Sequence, residues 1–114
     1  MEDCIFCKIA RHEIPSQVVY EDDDLLAFRD VKPAAPVHVL IIPKKHISML
    51  TELTEEDAGL MGKVMLTAKK LAESLEVSES GFRLVANQGV QAGQSVFHIH
   101  FHLLGGRAMS WPPG

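Results

Sequence analysis

Val96–Gly106 reads VFHIHFHLLGG, and it places three of the chain's six histidines within five residues, at His98, His100 and His102. A β-strand turns successive side chains to opposite faces, so these three imidazoles share one face. Phe97, Ile99, Phe101 and Leu103 then share the other, which needs an apolar cover. A strand over Val96 to Leu104 therefore predicts a sheet with one functional face and one face packed on a helix. The imidazole face invites a metal ion, because imidazole is the commonest metal ligand. Geometry limits that reading. Residues two apart on a strand are about 6.6 Å apart, and residues four apart about 13 Å. His98 and His102 are poorly placed to share one ion, so at least one histidine has a separate task. Nucleophilic attack and proton transfer are the other things imidazole does near neutral pH.

The helix that should cover the apolar face is legible upstream. Ala58, Met61, Val64, Met65, Ala68, Leu71, Ala72 and Leu75 recur at three- and four-residue steps over Glu55 to Leu75, the period of one helix face. Thr54 stands at the N-cap position, and Glu55, Glu56 and Asp57 complement the positive end of the helix dipole. Strand-like runs surround it at Gln17 to Tyr20, Leu25 to Asp30, Val37 to Ile42 and Phe82 to Gln88. Ile5 to Arg11 suits a short leading helix, ended by the Ile14-Pro15 step. Strands in runs with one long helix inserted predict an α+β fold. The sheet should have five mostly antiparallel strands.

At 114 residues the chain fits a single domain over 1–114, and 46% hydrophobic with 23% charged residues is ordinary for a globular core. A net charge of −4 at pH 7 argues against a nucleic-acid surface. No run approaches the roughly 20 apolar residues that span a bilayer. The acidic start MEDCIFCKIARHEIP is not a secretory signal. The only cysteines are Cys4 and Cys7, and reduced thiols in a cytoplasmic protein are the expectation for that spacing. Cys4-Ile5-Phe6-Cys7 also has metal-ligand spacing, and His46 and His98 could complete a tetrahedral set. Two reduced cysteines in a short helix, with His46 at the surface, is the alternative.

The loop before the histidines, NQGVQAGQS over Asn87–Ser95, offers hydrogen-bond donors and two glycines that let a phosphate approach the backbone. Together with YEDDDLLAFRD, PAAPVHVLIIPKKHIS, AGQSVFHIHFHLLGGR and the ending WPPG, these residues resemble the histidine triad family. The branch they resemble is that of the nucleotide-binding proteins, and the likeness covers nearly the whole chain.

That resemblance implies a homodimer binding purine nucleotides, AMP-like ligands, and cleaving the P–N bond of nucleoside 5′-phosphoramidates and aminoacyl-adenylates. It implies His100 as a nucleophile forming a nucleotidyl-histidine, with His38 supporting it and His102 on the α-phosphate. Ser95 would contact phosphate and assist the leaving amine. Asn87 and the backbone of Gly93 and Gln94 would hold the phosphate. Asp30 would accept from ribose hydroxyls, and Ile5, Phe6, Ile9, Phe28 and Val31 would line the base pocket. The resemblance implies no cofactor for catalysis. Some members carry a structural zinc on Cys-Cys-His-His, here Cys4, Cys7, His46 and His98. The long helix and one edge strand would form the dimer interface, and the tail around Trp111 would reach the partner's site. A regulatory module with vestigial catalysis and a dinucleoside polyphosphate hydrolase are the competing readings.

Overall fold

A computed structural model describes residues 3–114; Met1 and Glu2, part of the acidic start noted above, lie outside the described residues. Five strands form one sheet: β1 (Val18–Glu21), β2 (Leu25–Arg29), β3 (Val37–Pro43), β4 (Phe82–Ala86) and β5 (Phe101–Gly105). Their spatial order is β1-β2-β3-β5-β4, and every neighbouring pair is antiparallel. The first three strands follow one another as hairpins. The fifth then inserts between β3 and β4, so it is a central strand hydrogen-bonded on both sides.

Helix α1 (Ile5–Ala10) lies on one face of the sheet and α2 (Ala58–Ser74) on the other. Alternation along β2 and β3 explains both covers. Leu25, Ala27, Val39 and Ile41 join Val64, Ala68 and Leu71 of α2 in one buried cluster. Leu26, Phe28, Leu40 and Ile42 join Phe6 and Ile9 of α1 in another. A strand buried on both faces reads as a continuous apolar run, which is why β3 carries VHVLIIP.

The long helix begins as expected at Thr54. Its first turn, Glu55–Asp57, is a 3-10 turn, and the Thr54 N–H donates to the Asp57 carboxylate at 3.0 Å. The apolar face is narrower than the periodicity implies. Ala58 is exposed, and Met65 is 50% exposed beside Leu66 at 60%. The short helix stops before the Ile14-Pro15 step. His12 takes a left-handed backbone with φ of 61°, and the Glu13 N–H closes back onto the Lys8 carbonyl at 2.9 Å. That is a Schellman-type closure, so local hydrogen bonding ends this helix rather than the downstream proline.

The histidine segment is the main departure from expectation. Only Phe101–Gly105 pairs as strand, and residues 96–100 are not strand. In place of a ladder, the Ile99 N–H donates to the Ile47 carbonyl at 2.6 Å. Side chains still alternate: Ile99, Phe101 and Leu103 enter the α2-side core. Phe97 does not, being 48% exposed, because the segment leaves the sheet before reaching it.

The β1–β2 turn is held by Asp22. Its carboxylate accepts from the N–H groups of Asp24 and Leu25, each at 2.8 Å, and from the Tyr20 hydroxyl at 2.7 Å. Lys63 of α2 lies 3.4 Å away. Burial alone would push this carboxyl up, but the hydrogen bonds more than offset it and hold it at about 2. A depressed carboxyl stabilises the fold above its ordinary 3.8, and that contribution is lost as pH falls through about 2. Asp22→Asn should therefore cost about 1–2 kcal/mol at neutral pH. In urea titrations the gap to the native chain should close between pH 4 and pH 2. A gap that does not change with pH would contradict this account.

Candidate functional site

His100 and His102 line a cavity of about 860 Å³ on the α1 side of the sheet. Its apolar wall comes from α1 and β2: Ile5, Phe6, Ile9 and Phe28. Asp30 and Ser95 add polar groups to its lining, and Val31, 93% exposed, lines it too. Phe6 meets His100 edge-on with ring centroids 5.1 Å apart and Phe28 at 5.6 Å. Sequence reasoning missed Leu40, Ile14, Pro15 and Gln17, which also line it. Leu40 was recoverable, since it alternates with His38 on β3 and pairs with His102. The segment after α1 gave no comparable signal.

The imidazoles are ordered by a chain of hydrogen bonds that fixes their tautomers. His100 Nδ1 lies 2.8 Å from the His98 carbonyl oxygen. A carbonyl only accepts, so Nδ1 carries a proton, and in the neutral ring the lone pair is left on Nε2. At His38, the Ala34 N–H donates to Nδ1 at 2.9 Å. The His38 proton is therefore on Nε2, which faces His102 Nδ1 at 2.9 Å and the Asp30 carboxylate at 3.4 Å. His102 Nδ1 accepts, and its own proton sits on Nε2. Burial, then the neighbouring His100 and His38, push His102 down to about 4, so it stays neutral at pH 7 and acts through that N–H.

Two expectations change here. Among the described residues His38 has no hydrogen bond to His100; it sets the tautomer of His102. The register explains why: His38 pairs with Leu104 and His102 with Leu40, making the two histidines diagonal neighbours on one face. The glycine loop also does less than expected. The Gly93 N–H donates to the Val90 carbonyl at 3.1 Å and the Gln94 N–H to Gly89 at 3.0 Å, so a tight turn uses both amides. The buried Gln94 side chain staples the loop, accepting from Gly89 N–H at 2.9 Å and donating to the Ser48 and Val96 carbonyls at 2.9 and 3.1 Å. Asn87, Gly93 and Gln94 do not line the large cavity. Gly93 is needed for its left-handed φ of 84°.

His98 has a different surrounding. It is fully buried, and burial pushes it down to about 4, so the ring is neutral. Its Nε2 lies 2.7 Å from the Pro43 carbonyl and must donate, which leaves Nδ1 with a lone pair. That Nδ1 lies 3.3 Å from Cys4 Sγ and 3.5 Å from Cys7 Sγ. His46 Nδ1 lies 3.3 Å from Cys7 Sγ. All four donor atoms lie within 4.8 Å of one another. A zinc ion with bonds of about 2.1 Å to nitrogen and 2.3 Å to sulfur sets tetrahedral ligands about 3.6 Å apart, so the set fits such an ion. Burial and then Cys4 push the Cys7 thiol up; a cation would offset the cost of burying its thiolate.

The HIT domain matches residues 11–109 of the chain. A HIT-like protein of Synechocystis sp. is 57% identical over 113 residues, covering 99% of this chain and 98% of that protein. A protein of Brassica juncea named "14 kDa zinc-binding protein" is 52% identical, covering 98% of this chain and all of its own length, 100%. Among solved structures, a HIT family hydrolase from Legionella pneumophila is similar at a TM-score of 0.97 and 54% identity, covering 98% of this chain and 100% of that one. A HIT family hydrolase from Clostridium thermocellum follows at 0.94 and 51%, covering 96% of each. With this match over most of its length, the chain belongs to the HIT domain family.

Proposed function

We propose that the protein is a hydrolase of purine nucleoside 5′-phosphoramidates, and of aminoacyl-adenylates, working through a nucleotidyl-histidine intermediate. The observation that carries this reading is the His100 ring at the cavity wall, its Nδ1 proton held by the His98 carbonyl. An imidazole locked in that tautomer presents Nε2 as a nucleophile without first losing a proton. His102, with its proton on Nε2, donates to a phosphoryl oxygen and stabilises charge that grows there. The Asp30 carboxylate in the cavity lining suits ribose hydroxyls, and the Phe6–Phe28 wall suits a purine.

The reaction then runs in two displacements. His100 Nε2 attacks the α-phosphorus and the P–N bond breaks. The departing nitrogen keeps the electron pair, takes the Ser95 hydroxyl proton and leaves as the amine. Water then attacks phosphorus, gives its proton to the Ser95 oxygen, and the bond to His100 breaks to release the nucleoside monophosphate. Neither step requires a cofactor.

Cys4, Cys7, His46 and His98 would hold zinc, whose role is structural because four protein ligands leave no position for water. The Brassica relative's name supports this reading. The exposed Met65, Leu66 and Phe82 on α2 and edge strand β4 support a homodimer through those elements, with the Trp111 tail reaching the partner's site. A single-chain mass by light scattering would contradict that. The two free thiols fit a cytoplasmic location.

Adenosine 5′-phosphoramidate hydrolysis, followed by chromatography, tests the activity. The native protein should release AMP, and His100→Ala should lose on the order of a thousandfold or more in rate. Absence of turnover by the native protein, with AMP binding retained, would favour a nucleotide-binding regulatory module. For the metal, protein purified without chelator should hold about one zinc per chain, and Cys7→Ser should lose it with a fall in melting temperature. Well under one zinc per chain after zinc is offered would contradict the assignment.

A further inference from the structure

A second cavity of about 440 Å³ adjoins the first and shares Ile5, Ser95 and Val96 with it. It carries none of His98, His100 or His102. Asp3 and Phe97, with Cys4 and His46 of the candidate metal site, complete its lining. We infer that this cavity receives the leaving amine, and that Asp3 and Phe97 select amines that carry a second positive charge on a short apolar linker. The inference rests on the phosphoramidate reading and adds the substrate class to it.

The argument starts from the direction of bond breaking. In an in-line displacement the entering and leaving atoms lie on opposite sides of phosphorus. With His100 Nε2 entering from the histidine wall of the large cavity, the nitrogen must leave away from that wall. Ser95 is the polar side chain common to both cavities, so it marks the passage between them. The amine substituent beyond the scissile nitrogen then lies in the second cavity. Ile5 is 46% exposed and Phe97 48% exposed there. They offer apolar contact that neither sheet core uses. Asp3 has no ion-pair partner among the described residues. Its carboxylate attracts an ammonium, and the Phe97 ring face adds a cation–π contribution. Phe97 is also the apolar residue that the strand pattern would have buried, and its release from the core is what supplies this wall.

The test compares two AMP phosphoramidates, one of propylamine and one of 1,3-diaminopropane linked through one nitrogen. Affinities are measured by calorimetry at low ionic strength on the His100→Ala protein, so that turnover plays no part. The ammonium-bearing compound should bind about threefold tighter, the scale of an exposed ion pair. Adding Asp3→Asn should abolish that preference, and Asp3→Lys should reverse it. In the otherwise native protein, Asp3→Asn should leave hydrolysis of the unsubstituted phosphoramidate unchanged. Equal affinities for the two compounds, or a preference that survives Asp3→Asn, would overturn the inference. If the preference is present but the native protein turns over neither compound, the subsite stands and the hydrolase reading fails.

Discussion

The carbonyl oxygen of His98 is the point on which this structure turns. It accepts the Nδ1 proton of His100 at 2.8 Å and so decides which nitrogen faces the cavity. A carbonyl in a regular central strand would be spent on a ladder hydrogen bond. Here the chain leaves the sheet between Val96 and His100, and strand pairing resumes only at Phe101. That break frees the His98 carbonyl for a side chain. It also lets the His98 ring sink among the thiols of Cys4 and Cys7. One residue therefore joins the metal-type cluster to His100, its ring serving the first and its main chain the second.

A second set of bonds, on β3, orders His102. The Ala34 N–H fixes His38, and His38 fixes His102. The two imidazoles facing the cavity end in opposite states, His100 with a lone pair and His102 with a proton at Nε2. A lone pair beside a donor is the arrangement that the proposed phosphoryl transfer needs. Hydrogen bonds set both tautomers, from the His98 carbonyl at His100 and from the His38 ring at His102. The α2 side of the sheet contributes by rigidity: Ile99, Phe101 and Leu103 are buried against Val64, Ala68 and Leu71, which pins the segment carrying the histidines.

Much of this was legible in the sequence, and the misses share a cause. Helical periodicity located α2 and its buried Val64, Ala68, Leu71 and Ala72, because a core face imposes a 3.6-residue repeat. It also enrolled Met65, which is half exposed; an apolar side chain at helical spacing looks the same whether its cover is the chain's own sheet or something outside it. Period-two alternation separated His98, His100 and His102 from Ile99, Phe101 and Leu103 correctly. It could not show that the strand starts at Phe101, since an extended segment alternates with or without a paired neighbour. Phe97 was misassigned for that reason. Similarity to a known family named Gly93 and Gln94 as phosphate holders, yet whether an amide is free depends on the turn that surrounds it, and here the turn takes both. His38 was placed in the site, but its partner depended on the β3–β5 register, which a crossover through α2 hides from local sequence.

The tautomers of His38, His100 and His102 are the most direct test. Long-range 15N–1H correlation spectra of uniformly labelled protein at neutral pH distinguish protonation at Nδ1 from protonation at Nε2. Assignment by the His38→Asn, His100→Ala and His102→Ala variants would identify each ring. The account predicts a proton on Nδ1 of His100 and on Nε2 of both His38 and His102. A His100 ring protonated at Nε2 would leave no nucleophile facing the cavity and would contradict it.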